Sequence, residues 1–290
     1  MATTHPTPDP TPVSDTRWLV RALVARVQLY VFLALVAAFF ALPMAWLVLS
    51  PFDSQPSLVA GLSHPTLGNF QDMFRNPAVI TSLLNSVLLA LGTMLVVVAA
   101  AALAAYALSR ARVPGRNIIL YVLLLFSSVV TGSAAMVPIF LLAYDLHLIN
   151  TITGVILVLA GGLLPAAIFI LKDFMDSTPA SYEESARVFG AGPFQILRDI
   201  VVPLVRPGLA VIAVWTIVTV WGSFLTPFIL LRDPTLTPAS VQIYSFYSAG
   251  GTANLRLIST FGLLYTIPVV VMYLVVQNRY GFRFYGGLKR

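Results

Sequence analysis

The sequence predicts an all-α, polytopic membrane protein with six transmembrane helices, on the evidence of its composition and of its long apolar runs. Of the 290 residues, 58% are hydrophobic and only 10% are charged. The hydrophobic residues form runs close to the ~20 residues that an α-helix needs to cross a ~30 Å hydrocarbon core. Helices are expected because an open sheet would leave backbone groups unpaired in lipid. The six predicted spans are 29–49, 83–108, 118–142, 154–171, 209–231 and 258–276.

The basic residues predict the orientation of the chain. Of the 17 Lys and Arg residues, only Arg75, Arg232 and Arg256 fall in segments on one side of the predicted spans. Since cytoplasmic segments carry an excess of Lys and Arg, both termini and residues 181–207 are predicted to be cytoplasmic. The chain is therefore expected to be a multi-pass membrane protein. Topology then explains the net charge of +6, and no nucleic-acid partner is expected.

The sequence carries no pattern of a catalytic or metal site. It has no cysteine, and neither of its lysines follows a glycine, so a thiolate metal site and a phosphate-binding G-x-x-x-x-G-K loop are both absent. Neither H-E-x-x-H nor G-x-S-x-G occurs. The predicted spans contain no Asp, Glu, Lys, Arg or His, which argues against a proton or ion path. We expect no catalytic residue, no metal and no cofactor in this chain.

Residues 181–207 form a polar island between apolar runs. Ser181 and Glu184 have the spacing of a capping box, so a helix is predicted to begin at Ser181. Gly190 is placed to end that helix in the left-handed conformation. Pro193 suits the first turn of the next helix. The alternative interpretation is an amphipathic interfacial loop that reverses the chain and binds no partner.

The same island resembles the motif of the membrane subunits of ATP-binding-cassette importers of the binding-protein-dependent type I family. That motif reads E-A-A, three residues, G, nine residues, then I-x-L-P. Here Glu184-Ser185-Ala186 precedes Gly190, and Ile200-Val201-Val202-Pro203 follows at the right distance. The resemblance implies a cytoplasmic coupling helix between spans 4 and 5 that docks on the ATPase subunit. The residues implied in coupling are Glu183, Glu184, Ser185, Ala186, Phe189, Gly190, Ile200 and Pro203.

Shorter stretches resemble the carbohydrate-uptake branch of this family, typified by the shorter permease of the maltose system. They are Asn85-Ser86, the run from Ala105 to Arg116, Leu148-Ile149-Asn150-Thr151 with Gly154, and Gly286-Gly287-Leu288-Lys289-Arg290. One element departs from the branch: Trp221-Gly222-Ser223-Phe224 stands where many members have Trp-Asn, an acidic residue and Phe. Trp221 is therefore a weak candidate for substrate binding, and packing between helices is the favoured interpretation of it. The other substrate-binding residues are unknown at this stage.

The resemblance implies a permease subunit in a prokaryotic plasma (inner) membrane. It would form half of a translocation pore for a sugar or a related polar solute, such as a polyol or glycerol phosphate. It implies four partners: a dimer of cytoplasmic ATP-binding subunits, which would bind ATP and Mg²⁺, a second homologous permease, an extracytoplasmic solute-binding protein and the lipid bilayer. A homodimer of permeases stays open. The predicted organisation is a cytoplasmic tail over 1–28, a membrane domain over 29–278 with a core of about 80–277, and a cytoplasmic tail over 279–290.

The alternative function is a self-contained secondary transporter of a small polar solute, which six spans and prolines near the substrate path would also serve. The lack of charged residues in the spans and the motif at Glu184 to Pro203 stand against it. Whether transport requires ATP and a separate ATPase distinguishes the two.

Overall fold

The fold is a bundle of helices, seen in a computed structural model that describes residues 16–59, 61–111, 114–130, 133–247 and 251–280. In these ranges the extended pairing is limited to two isolated bridges, Asp53 with Pro65 and Tyr247 with Ala253. Residues 1–15 of the predicted tail 1–28 and residues 281–290 of the predicted tail 279–290 lie outside the described residues. The helices are α1 Thr16–Leu49, α2 Gly68–Arg75, α3 Pro77–Arg110, α4 Arg116–Val130, α5 Met136–Asp145, α6 Ile152–Asp176, α7 Ser181–Val188, α8 Pro193–Ile196, α9 Val202–Leu204, α10 Arg206–Trp221, α11 Leu225–Leu230, α12 Ala239–Gln242 and α13 Leu255–Tyr280.

Four of the described helices are long and apolar enough to cross a membrane alone, and they match predicted spans 1, 2, 4 and 6. A fifth crossing arises if Pro193–Leu204 and Arg206–Trp221, which meet at 77°, count as one span. The predicted third span falls on α4 and α5, which are both shorter and lie on either side of residues 131–132. The described residues thus support four or five spans.

The predicted fifth span, 209–231, is divided between two helices, because α10 ends at Trp221 and α11 begins at Leu225. Gly222 donates its N–H to the carbonyl of Val218 and closes α10. Pro227 lacks an N–H and lies in the first turn of α11, where helix N–H groups have no partner inside the helix anyway. A proline at this position is compatible with a new helix and disfavours continuation of the old one.

Helix α3 is the centre of the bundle and packs along α6 and α10. Its Val97, Ala101 and Ala105 are fully buried in this core. Small side chains at such positions let helices approach closely. A Cβ added at Gly92 of α3 would lie 2.5 Å from Ile156 of α6, which shows how tightly these two helices meet. By contrast, the described side chains of α1 are mostly exposed.

One end of α3, here called the Asn85 end, is held by neutral hydrogen bonds to the segment between α11 and α12. Asn85 donates from Nδ2 to the carbonyls of Thr235 and Thr237 at 2.8 and 3.2 Å. Ser86 accepts from the backbone N–H of Ala239 at 2.9 Å. These bonds give the Asn85-Ser86 pair a structural role in fixing the loop that follows span 5.

The Asn150-Thr151 pair starts α6 for clear stereochemical reasons. Asn150 has a φ of +59°, a left-handed conformation that asparagine tolerates better than most residues. Its Oδ1 accepts from the N–H groups of Arg232 and Asp233. Thr151 is the N-cap and accepts from the N–H of Gly154 at 3.0 Å. A side chain at residue 154 would collide with the carbonyl of Leu148, so glycine is required there.

Candidate functional site

The helix predicted between 181 and Gly190 exists as α7, and its C-terminal end is the predicted glycine turn. Gly190 has a φ of +85°. Its N–H donates to the carbonyl of Arg187 at 2.9 Å, and the N–H of Ala191 donates to the carbonyl of Ala186 at 3.0 Å. This pair of bonds is a Schellman motif. Pro193 follows as the first residue of α8, as predicted.

The predicted capping box is wrong. Ser181 is the first residue of α7, and the N-cap is Ala180, which has no capping side chain. Ala180 is itself in a right-handed helical conformation, with a φ of −67° and a ψ of −17°. A capping side chain needs an extended backbone at the N-cap to reach back to the first turn. The carbonyl of Ala180 accepts instead from the N–H groups of Glu183 and Glu184.

The two adjacent glutamates of α7 differ sharply in exposure. The side chain of Glu183 is only 3% exposed. It accepts from Arg110 Nε at 2.6 Å and from the Tyr106 hydroxyl at 3.1 Å, both on α3. Arg187 lies within 3.8 Å of it on the same helix. Glu184 lies on the exposed face of α7. Of the two predicted coupling carboxylates, the structure therefore leaves Glu184 accessible and encloses Glu183.

The bonds around Glu183 extend to α6, so that the Arg110 end of α3 joins three elements. Arg110 also donates to the carbonyl of Thr178 at 3.0 Å, in the turn between α6 and α7. Ser109 donates to Asp176, the last residue of α6. Asp176 in turn pairs with Lys172, a largely buried cation one turn earlier. The ends of α3, α6 and α7 are thus connected by charged side chains.

The exposed face of α7 and α8 carries large apolar side chains. Phe189 is 90% exposed, and Tyr182, Val188 and Phe194 are also exposed. We call these four residues the α7–α8 patch. Charged side chains border it, among them Glu184 and Arg187. A cluster of exposed aromatic side chains with a charged border is typical of a protein interaction site.

The remaining predicted coupling residues lie at or behind this patch. Ser185 is exposed, whereas Ala186 is half-buried against the core. Ile200 lies in a widened turn, in which the N–H of Val202 reaches back five residues to the carbonyl of Leu197. Pro203 follows immediately, in the short helix before the 77° bend. Wide turns of this kind occur often at functional sites.

Trp221 is enclosed in packing between α10 and α13. Its side chain is 6% exposed, and its Nε1 donates to the backbone carbonyl of Tyr265 at 3.1 Å. The Tyr265 hydroxyl donates to the carbonyl of Trp221, and the two rings stack with centroids 5.5 Å apart. With its N–H and one ring face used, the indole fits the packing interpretation better than an aromatic platform for a sugar.

Sequence reasoning missed a cavity of about 220 Å³ beside the break between α10 and α11. Helices α5 and α6 close its other side. Three hydroxyl residues line it: Thr219, Ser223 and Thr226. Their spacing of three and four residues within an apolar run was the available signal. In the described part of the chain, no group of three or more His, Asp or Glu side chains could hold a metal ion.

Comparisons with known proteins give the family of this chain. The family model described as "Binding-protein-dependent transport system inner membrane component" matches residues 97–283. The galactooligosaccharides transport system permease protein of Bacillus subtilis (strain 168) is 29% identical over 267 residues, covering 90% of this chain and 94% of the relative. The maltodextrin transport system permease protein of the same organism is 28% identical over 261 residues, covering 89% and 94%.

A solved structure supports the fold. A chain from the crystal structure of a bacterial ABC transporter involved in the import of the acidic polysaccharide alginate superimposes with a TM-score of 0.76. The match covers 93% of this chain and all of that chain, at 22% identity. From the family model, the relatives and the shared fold it follows that this chain belongs to the binding-protein-dependent transport system inner membrane components, the permease subunits of ABC importers.

Proposed function

We propose that this permease forms half of a sugar translocation pore and is driven by a separate ATPase through the α7–α8 patch. The observation that carries the coupling step is the exposed apolar patch on a helix whose opposite face is bonded to α3. Phe189 and its neighbours would form an apolar surface complementary to the ATPase, and the bordering charges would fix how the two partners align. The bound ATPase would hold ATP and Mg²⁺, and this chain would perform no covalent chemistry.

The proposed topology has six spans with both termini and α7 on the cytoplasmic side. The third span would consist of α4 and α5, each too short to cross a membrane alone. The distribution of basic residues supports the orientation, since it gives the α7 side most of the 17 Lys and Arg residues. That orientation puts the α7–α8 patch where ATP is available.

The proposed solutes are sugars or related polar molecules delivered by an external binding protein. Two relatives named as permeases for galactooligosaccharides and maltodextrin support this class. The hydroxyl-lined cavity beside the α10–α11 break is a place where a polar solute could contact this chain. A second permease subunit would complete the pore, because a single chain encloses only half of it.

The test is affinity purification of the tagged chain from native membranes in mild detergent, with ATPase activity measured on the eluate. We expect an ATP-binding subunit and a second permease to co-purify, and uptake in reconstituted vesicles to require internal ATP. A chain that purifies alone and transports without ATP would favour the secondary transporter and overturn the proposal.

A further inference from the structure

Glu183 differs from its neighbour Glu184 in burial and in its side-chain partners. Glu183 is enclosed and accepts a short hydrogen bond from Arg110 and a second bond from Tyr106, whereas Glu184 is exposed. A docking partner could reach the Glu183 carboxylate only by breaking the contact with Arg110. Glu184 is therefore available to a docking partner, and Glu183 is not.

The bonds at Glu183 matter because α7 is too short to hold its own position. An isolated helix of 8 residues is unstable in water, since nucleation is costly and few backbone bonds follow. The backbone attaches α7 to α6 through the turn at residues 177–180. Its link to α3 is made by side chains, and α3 is the helix that packs along both α6 and α10.

The Arg110 guanidinium fits a joint between these elements. It donates to Glu183 of α7, to the carbonyl of Thr178 in the preceding turn and to Ser109 of α3. A planar guanidinium that bonds several elements at once fixes their relative orientation more firmly than a single flexible contact would. Bonds between charged partners are also among the stronger hydrogen bonds in proteins.

We infer that Glu183 is a positioning residue: with Arg110 and Tyr106 it forms a joint that passes movement of α7 directly to α3. It does not contact the ATPase. This inference rests on the proposed coupling function and assigns opposite tasks to the two glutamates. Glu184 belongs to the docking face, and Glu183 to the connection between that face and the translocation path.

The experiment compares Glu183→Gln with Glu184→Gln in the complete transporter purified with its ATPase. One readout is the amount of ATPase captured per permease. The other is the maleimide-labelling rate of Ser223→Cys in the cavity, with and without ATP and vanadate. The natural chain has no cysteine, so on this subunit the label reports position 223 alone.

We expect Glu183→Gln to capture ATPase like wild type while the ATP-dependent change in labelling falls about tenfold, the scale of losing a charge-assisted bond. Glu184→Gln should keep the full labelling change for each ATPase captured. The inference is overturned if Glu183→Gln loses capture, as a docking residue would, or if it keeps the wild-type labelling change.

Two further variants keep the test decisive if Glu183→Gln does not accumulate in membranes. Tyr106→Phe removes one donor and leaves the ion pair, so the labelling change should fall by a smaller factor with capture intact. Arg110→Gln combined with Glu183→Gln removes both charges. The double variant should accumulate better than either single variant, because each single variant leaves one charge buried without its partner and the double variant does not. If Tyr106→Phe and the double variant both kept the wild-type change in labelling, the proposed connection between α7 and α3 would be contradicted. If wild type itself captures no ATPase, the proposed function fails instead.

Discussion

The two ends of α3 are held by different chemistry. At the Asn85 end, neutral side chains bond to backbone groups of the segment that leads from α11 into α12. The Asp53 carboxylate, in the loop between α1 and α2, is likewise satisfied by backbone N–H groups. At the Arg110 end, the carboxylates of Glu183 on α7 and Asp176 on α6 accept bonds from Arg110 and Ser109 of α3, and the neighbouring helix exposes a large apolar patch. The difference fits an Asn85 end that maintains a fixed shape and an Arg110 end that connects the proposed docking surface to the bundle.

The largest effect is expected from Gly190→Arg, which acts on the proposed docking surface at the Arg110 end. A residue with a side chain at a φ of +85° is strained by about 1–2 kcal/mol, and the long arginine also obstructs the patch. We expect normal membrane insertion and no uptake. Gly190→Ala is the control, since a Cβ there meets no atom within 4 Å and adds strain alone. Wild-type uptake by Gly190→Arg would remove the patch from the mechanism.

The next effect is that of Arg110→Ala on stability. This change leaves the Glu183 carboxylate buried without its main partner, at a cost of about 3 kcal/mol, the lower end for a broken buried ion pair because α7 lies at the bundle surface. Thermal unfolding in detergent measures it. If the Arg110 end were held by packing alone, Arg110→Ala would unfold like wild type.

A smaller effect is expected from Ser86→Ala at the Asn85 end. It leaves the N–H of Ala239 without its acceptor, which costs about 1–2 kcal/mol. Unfolding temperature should fall less than in Arg110→Ala, while ATPase capture stays at the wild-type level. Reduced capture would show that the two ends of α3 are not functionally distinct.

The smallest effect is the pH dependence contributed by Asp53, in the loop between α1 and α2. The N–H of Gln55 lowers the pKa of this carboxyl most, with further lowering by the N–H groups of Ser63 and His64. Because the folded pKa lies below the unfolded value of about 3.9, these bonds stabilise fully above that pH and are lost as pH falls through the lowered pKa. The unfolding temperature of Asp53→Asn should lie below that of wild type by a constant amount from pH 8 to 5, and the difference should shrink below about pH 4. A difference that grows with acid would contradict this sign.

The sequence was sufficient for features set by local stereochemistry. Gly190 and Pro193 mark the end of one helix and the start of the next, because each residue type has a backbone preference that needs no tertiary contact. The apolar runs likewise predicted α3, α6 and α13 to within about six residues of each end, and the C-terminal part of α1.

Features set by contacts between distant segments could not be predicted. Which of Glu183 and Glu184 is enclosed depends on how α7 is rotated against Tyr106 and Arg110, more than 70 residues earlier in the chain. The capping box failed because the chain enters α7 from a turn that is already helical at Ala180. The break after Trp221 was missed because hydropathy alone does not distinguish a continuous span from two helices in one apolar run.

The most direct test of ATPase docking on the α7–α8 patch is photocrosslinking from that patch in native membranes. Benzoylphenylalanine is placed at Phe189 in one variant and at Leu58 in another; both native side chains are strongly exposed, at 90% and 82%, but Leu58 lies in the loop near the Asn85 end. We expect an adduct with the ATP-binding subunit from position 189 and none from position 58. An intact complex that gives no adduct from 189, or gives the ATPase adduct from 58, would contradict it.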